Sequence, residues 1–370
     1  MLKTKNGFAH LFVILIVLAM AAVALFYLAD PLQRQKLQTT IKDTSPLIGS
    51  GESGLLAYLE GRRALPEGGV IGGELWTINP ENLERNKITT NTSIAWIHDW
   101  SPDGENIAVV TNEKRDSIIS SISVVELKSS SVRQLKEVGS GVRGELFWNL
   151  NDKIVYLRSD IPNDKTLSEI SIKNGNENDL VVLPEELTNS PQFSPNKQWI
   201  AAGDSFFETG KIYSYNPKTE TKHTLSGTQA QFGGWVSDKI VYATHLDSGN
   251  AIWEVNPDGT NERKLVDLGD AKTSYINISS DGSRIVYVTI KTVGDKTYEQ
   301  MYSYNYNSGK VSTPYFEENT YTGISGVKVS RNGKYASYHQ SSQGVNVIDL
   351  ESGEIQGVCS NVYCDASWSP

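Results

Sequence analysis

"WSPDGENIAVV", residues Trp100–Val110, is an aromatic residue, a polar turn and then an apolar strand. Asp-Gly after Ser-Pro is turn chemistry, and the β-branched run after it reads as a buried strand. The same unit returns as "WNLNDKIVYL" from Trp148, "FSPNKQWIAAG" from Phe193 and "WVSDKIVYAT" from Trp235. It returns again as "ISSDGSRIVYVT" from Ile278 and "VSRNGKYASYH" from Val329, and opens once more in "DASWSP", Asp365–Pro370. Counted from the first residue of each unit to Trp368, the steps are 48, 45, 42, 43, 51 and 39 residues.

A second hairpin follows each unit. "AIWEVNPDGTNERKLV" (Ala251–Val266) shows it most plainly, and relatives begin at Ile122, Leu167, Lys211, Gln300 and Gly344. One more, "ELWTINPENLERNKIT", begins at Glu74, ahead of the first full unit. Two hairpins in about 45 residues make four antiparallel strands, the size of a β-propeller blade. A sandwich would also use many short strands, but it has no reason to repeat its sequence. The outer hairpins number seven and the complete inner ones six, with an orphan strand "GLLAYLEG" (Gly54–Gly61) in front. The expectation is therefore an all-β, seven-bladed propeller of four-stranded blades. Its C-terminal strand, "DASWSP", pairs with Leu55–Leu59 and so closes the ring as a true end and not a cut one. Such closure removes free sheet edges.

Composition agrees with a folded, strand-rich chain: 31 Gly, 17 Tyr and 8 Trp in 370 residues, with 21% charged. A net charge of −9 with dispersed Lys and Arg provides no electrostatic footprint for nucleic acid. Phe8–Ala29 is a run of 22 residues with one polar side chain, His10. It is long enough to cross a hydrocarbon layer of ~30 Å. Lys3 and Lys5 ahead of it predict a cytoplasmic N-terminus (residues 1–7), a signal-anchor helix (8–29) and a linker (30–53). They place a propeller (54–370) outside the membrane, periplasmic or at the cell surface. A cleaved signal peptide is the alternative, set against by the length of the apolar run. Cys359 and Cys364, with four residues between them, are expected to form a disulfide in that oxidising setting; free thiols are the alternative.

The units from Trp100 to Cys359 resemble the repeats of TolB-type propellers, which are related to WD-repeat proteins and to the propeller domains of the prolyl oligopeptidase family. The resemblance spans residues 54–370 and implies architecture alone. The residues that carry it close turns and fill the core, and the hydrolase domain of the oligopeptidases has no counterpart in this sequence. TolB-type proteins carry six blades and a preceding α/β domain, so their partners are not implied.

No G-x-S-x-G elbow, phosphate loop, dinucleotide fingerprint or H-E-x-x-H occurs. "NPDGTNE" (Asn256–Glu262) has acidic oxygens but reads as a hairpin turn. No cofactor and no metal are expected. The candidate binding residues lie just ahead of the innermost strands, where a propeller's loops converge: His98, Asp99, Arg143, Glu145, Gln192, Gln231, Lys328 and Asp365. The expected function is non-catalytic, a binding or scaffold module for a protein, peptide or cell-envelope polymer. The alternative is a propeller enzyme of lyase or hydrolase type working at the channel rim.

Overall fold

A computed structural model describes residues 53–64, 70–112, 120–138, 146–158, 165–187, 190–203, 210–226, 229–246, 249–294, 296–317, 323–340, 344–360 and 364–370. Among them the chain is an all-β propeller. Strands β1 (Leu56–Glu60), β2 (Arg63–Ala64), β3 (Val70–Ile71), β4 (Gly73–Ile78), β5 (Arg85–Trp100), β6 (Asn106–Asn112), β7 (Ser120–Glu126) and β8 (Ser131–Glu137) come first. Then follow β9 (Phe147–Leu150), β10 (Lys153–Leu157), β11 (Thr166–Ser171) and β12 (Glu177–Val182). The next sheet contains β13 (Gln192–Phe193), β14 (Ile200–Gly203), β15 (Ile212–Asn216) and β16 (Thr221–Thr224). After it come β17 (Ala230–Val236), β18 (Lys239–Leu246), β19 (Gly249–Val255) and β20 (Arg263–Gly269). Next are β21 (Lys272–Ile278), β22 (Arg284–Val293), β23 (Lys296–Asn305) and β24 (Lys310–Glu317). The last are β25 (Ile324–Val329), β26 (Tyr335–Gln340), β27 (Gly344–Asp349), β28 (Ile355–Cys359) and β29 (Ala366–Trp368).

Strands β9 to β28 form five separate four-stranded antiparallel blades. The rest differs from expectation. In place of further separate blades there is one seven-stranded sheet, ordered β29-β1-β4-β5-β6-β7-β8. The cause is β5. "RNKITTNTSIAWIHDW" has no Gly or Pro to break it and is rich in Thr and Ile, so it runs on as one strand. Arg85–Thr89 pair with β4 and Ile94–Trp100 with β6; Ile94 faces both Gly73 and Thr111. The expected seven separate blades are thus corrected to five plus a joined sheet.

The expected single-pass membrane topology, with its extracytoplasmic propeller, is corrected as well, to what the described residues show. The helical structure among the described residues is a single 3-10 turn, Glu185–Leu187. No helix among them is long and apolar enough to cross a membrane. Their apolar residues are spent in strands that pack sheet on sheet. Phe8–Ala29 itself lies outside the described residues.

Strand β29 pairs antiparallel with β1, Trp368 opposite Leu56 and Ala366 opposite Tyr58. The join copies a turn used elsewhere. In "WSPDGEN" the buried Ser101 hydroxyl accepts the Asn106 N–H, and the Ser101 N–H donates to the Asn106 carbonyl. Ser194 with Trp199, Ser279 with Arg284 and Ser330 with Tyr335 repeat both bonds. At the seam the turn is made from two distant parts of the chain. Ser369 Oγ accepts the Leu55 N–H at 2.8 Å, and the Ser369 N–H donates to the Leu55 carbonyl at 2.8 Å.

Between sheets a second device recurs. The indole N–H of Trp100 donates to the carbonyl of Ser367, that of Trp148 to Asp99, that of Trp235 to Gln192 and that of Trp368 to Lys328. Each acceptor directly precedes the corresponding residue of the preceding repeat. Where the repeat lacks Trp, other contacts occupy the same place. Phe193 meets Phe147 edge-on at 5.7 Å, and the Val329 N–H donates to Asn277 Oδ1. Ile278 lies against the space at Gly234 that any side chain there would enter.

Removing the Ser369 hydroxyl leaves the buried Leu55 N–H unpaired, so Ser369→Ala is expected to cost about 1–2 kcal/mol. Deleting Ala366–Pro370 should cost more, because it also exposes the edge of β1. Urea denaturation checks both; a truncated chain with the midpoint of the full one would overturn the seam's role.

Candidate functional site

The inner strands surround a cavity of about 460 Å³. Its wall takes Ile97, His98 and Asp99 from β5, Leu146, Phe147 and Trp148 at β9, and Gln192 and Phe193 from β13. Asn277, Ile278, Lys328 and Val329 come from β21 and β25, and Ser367 to Pro370 from the closing strand and its end. Lys197 and Ser280, from the turns that follow β13 and β21, complete it.

Of the residues singled out in the sequence, the structure brings His98, Asp99, Gln192 and Lys328 together around this cavity. Arg143 and Glu145 lie outside the described residues. Gln231 and Asp365 do not line the cavity. Gln231 donates to the Ser274 carbonyl at 3.1 Å, linking β17 to β21. Asp365 accepts the Ile97 N–H at 2.8 Å and the Ala366 N–H at 3.0 Å, so its carboxylate ties the closing strand to β5.

Asp99 is similarly engaged. Its two carboxylate oxygens accept the N–H groups of Trp100 (2.9 Å) and Trp148 (3.4 Å), and its carbonyl accepts the Trp148 indole. Lys328 reaches across to the Ala366 carbonyl at 2.8 Å. His98 Nδ1 accepts the Leu146 N–H at 3.4 Å, which places the proton of the neutral ring on Nε2. Burial pushes the His98 pKa down to about 4; Asp365 opposes the shift and Lys328 adds to it. The ring is therefore neutral at pH 7.

Sequence reasoning passed over Lys197. Its turn exposes much of it to solvent, yet its ammonium sits 5.8 Å over the Phe193 ring at the cavity mouth. Packing there displaces water and lowers its pKa, with Asp99 partly restoring it. The available signal was its place in "SPNK", where the sister turns have glycine. No group of three or more His, Cys, Asp or Glu able to hold a metal occurs among the described residues.

Cys359, ending β28, and Cys364, just ahead of β29, lie at disulfide distance with Cα atoms 6.5 Å apart. Both are buried.

No family model and no curated protein sequence matches the chain. Solved structures share its fold. An oligogalacturonate lyase in complex with manganese is 14% identical, with 82% of this chain and 85% of that one covered, at a TM-score of 0.56. A prolyl endopeptidase is 11% identical at 0.56, with 80% of this chain but 47% of that one covered. TolB from Acinetobacter baumannii is 14% identical over 88% of this chain and 69% of that one, at 0.45. The β-propeller domain of the Trilobed protease from Pyrococcus furiosus is 14% identical over 85% of this chain and 94% of that one, at a TM-score of 0.54. The chain is a β-propeller similar in fold to such structures; at such identities the likeness concerns the fold alone.

The His98 shift has a sign that can be tested. Its folded pKa lies below the ordinary 6.5, so the unfolded chain binds the extra proton first as pH falls. Its contribution is whole above pH 6.5 and is lost as pH drops towards 4. By pH 4.5 the loss amounts to about 2–3 kcal/mol. Replacing His98 with Asn, which keeps an acceptor for Leu146, should flatten that part of a stability–pH curve. An unchanged acid limb in denaturation experiments would contradict the assignment.

Proposed function

We propose that this propeller is a binding module that receives part of a peptide or polymer ligand in its central cavity, without transforming it. One observation carries the reading: among the described residues, the two carboxylates at the inner strands, Asp99 and Asp365, already hold the frame. Asp99 and Asp365 both accept backbone N–H groups that hold neighbouring strands in place. A general acid or base must hold its proton-transfer atom towards the ligand, and these oxygens are turned to the frame instead. The cavity wall is an even mixture of polar and apolar side chains, and its volume is in the range of recognition pockets.

Ser280 lines the mouth from an exposed turn, so a larger side chain there blocks entry without touching the core. Ser280→Trp is expected to weaken binding of a responsive peptide or oligosaccharide, from an immobilised panel, by about tenfold or more. Mass spectrometry of the recovered ligand should find it unaltered. Cleavage or elimination products that vanish in the plugged variant would replace this reading with an enzymatic one.

Cys359 and Cys364 are assigned as a disulfide bracing the entry to the closing strand. The unreduced protein should then be two hydrogens lighter than the reduced one. Replacing both with Ser should cost about 2 kcal/mol, the usual scale for so short a loop.

A further inference from the structure

We infer that the cavity takes an anionic ligand, a carboxylate or phosphate group borne on an apolar or aromatic body, and that Lys197 recognises the charge. The inference rests on the binding reading above and adds the ligand's chemistry to it.

The first support is the backbone. Four turns share one pattern: Ser101-Pro-Asp-Gly104, Ser194-Pro-Asn-Lys197, Ser279-Ser-Asp-Gly282 and Ser330-Arg-Asn-Gly333. The fourth residue is left-handed in each, with φ of 73°, 60°, 72° and 66°. Glycine holds that place freely, whereas an L side chain costs about 1 kcal/mol there. Three of the turns use glycine. The one with lysine places it on the cavity wall. Seven other described non-glycine residues, Ser237 and Glu220 among them, also take a positive φ, but Lys197 is the one of these that stands on the cavity wall.

The second support is charge. The chain carries a net charge of −9, yet two lysines, Lys197 and Lys328, line this cavity against one aspartate, Asp99. Both Asp99 oxygens already accept N–H groups, and neutral His98 has its proton on Nε2. The Lys197 ammonium and the His98 Nε2–H thus give the lining two donors suited to an oxyanion. The Lys197 ammonium, partly stripped of water, interacts more strongly with an oxyanion than a fully hydrated one would. The third support is the apolar surface beside it: the Phe193 ring, over which the ammonium sits, can cover the body that bears the charge.

The test uses the full chain and four probes of similar shape: benzoate, phenyl phosphate, benzyl alcohol and benzylamine. Saturation-transfer NMR and calorimetry read the binding. An anionic probe is expected to bind at least about tenfold more tightly than the alcohol, the ordinary worth of a charge-assisted hydrogen bond. Benzylamine should not bind. The order of benzoate and phenyl phosphate assigns carboxylate or phosphate. Lys197→Gly should lose that preference while its denaturation midpoint stays level or rises, and Lys197→Arg should regain it. The inference is overturned if Lys197→Gly binds the anion like the parent, or if the alcohol or amine binds as well. In either case the binding reading survives. If no probe binds, the inference also falls, and the Ser280→Trp comparison with larger ligands decides the binding reading separately.

Discussion

The hydrogen bond from a tryptophan indole to the carbonyl ahead of the corresponding residue in the preceding repeat sets the geometry of the ring. Trp100, Trp148, Trp235 and Trp368 each make it, and all four reach backwards to the preceding repeat. A sheet-to-sheet interface held by apolar contact alone can slide, because such contact has no direction. A donor on a rigid bicyclic ring, aimed at one carbonyl, fixes both the distance and the rotation of one inner strand on the next. Each bond contributes only about 1 kcal/mol net, but repetition around a closed ring makes the errors of one junction the concern of all.

The cavity inherits its polarity from these junctions. In four repeats the position ahead of the first residue, held by Asp99, Gln192, Lys328 and Ser367, supplies the carbonyl for an indole. Asp99, Gln192, Asn277, Lys328 and Ser367 all stand at it and line the cavity. Their polar atoms serve the frame first. Lys197 is different in origin: it comes from a turn beyond the strand and has no such framing bond among the described residues. Assembly and recognition are thus divided between two sets of residues, which lets one change without the other.

The inner hairpins were legible because their units are local. An aromatic residue, a Ser turn and an apolar strand sit within a dozen residues, and the bonds of Ser101 to Asn106 lie inside that span. The partner of "WSP" at Trp368 could be placed only by counting hairpins, since Leu55 is more than three hundred residues away. The continuity of β5 was not legible. A hairpin boundary announces itself through Gly, Pro or Asp, while a missing boundary leaves only an unremarkable run of Thr and Ile. Asp365 could be placed near the channel, but not its commitment to two N–H groups, which depends on β5 lying alongside. Lys197 escaped notice because a lysine in a polar turn reads as solvated surface; its place over Phe193 on the cavity wall depends on how distant strands converge.

The unbroken run of β5 bears on how the ring comes apart. In a propeller of separate blades the seam is a hinge: the sheet holding the two chain ends can swing away once the side chains on its flanks let go. Here that sheet and its neighbour share a backbone strand, with Ile94 paired on both sides. Opening there must tear a ladder of main-chain bonds, so β29, β1 and β4 exchange and unfold in concert with β6 to β8 as one cooperative unit. The boundaries between the five separate blades carry no such shared strand.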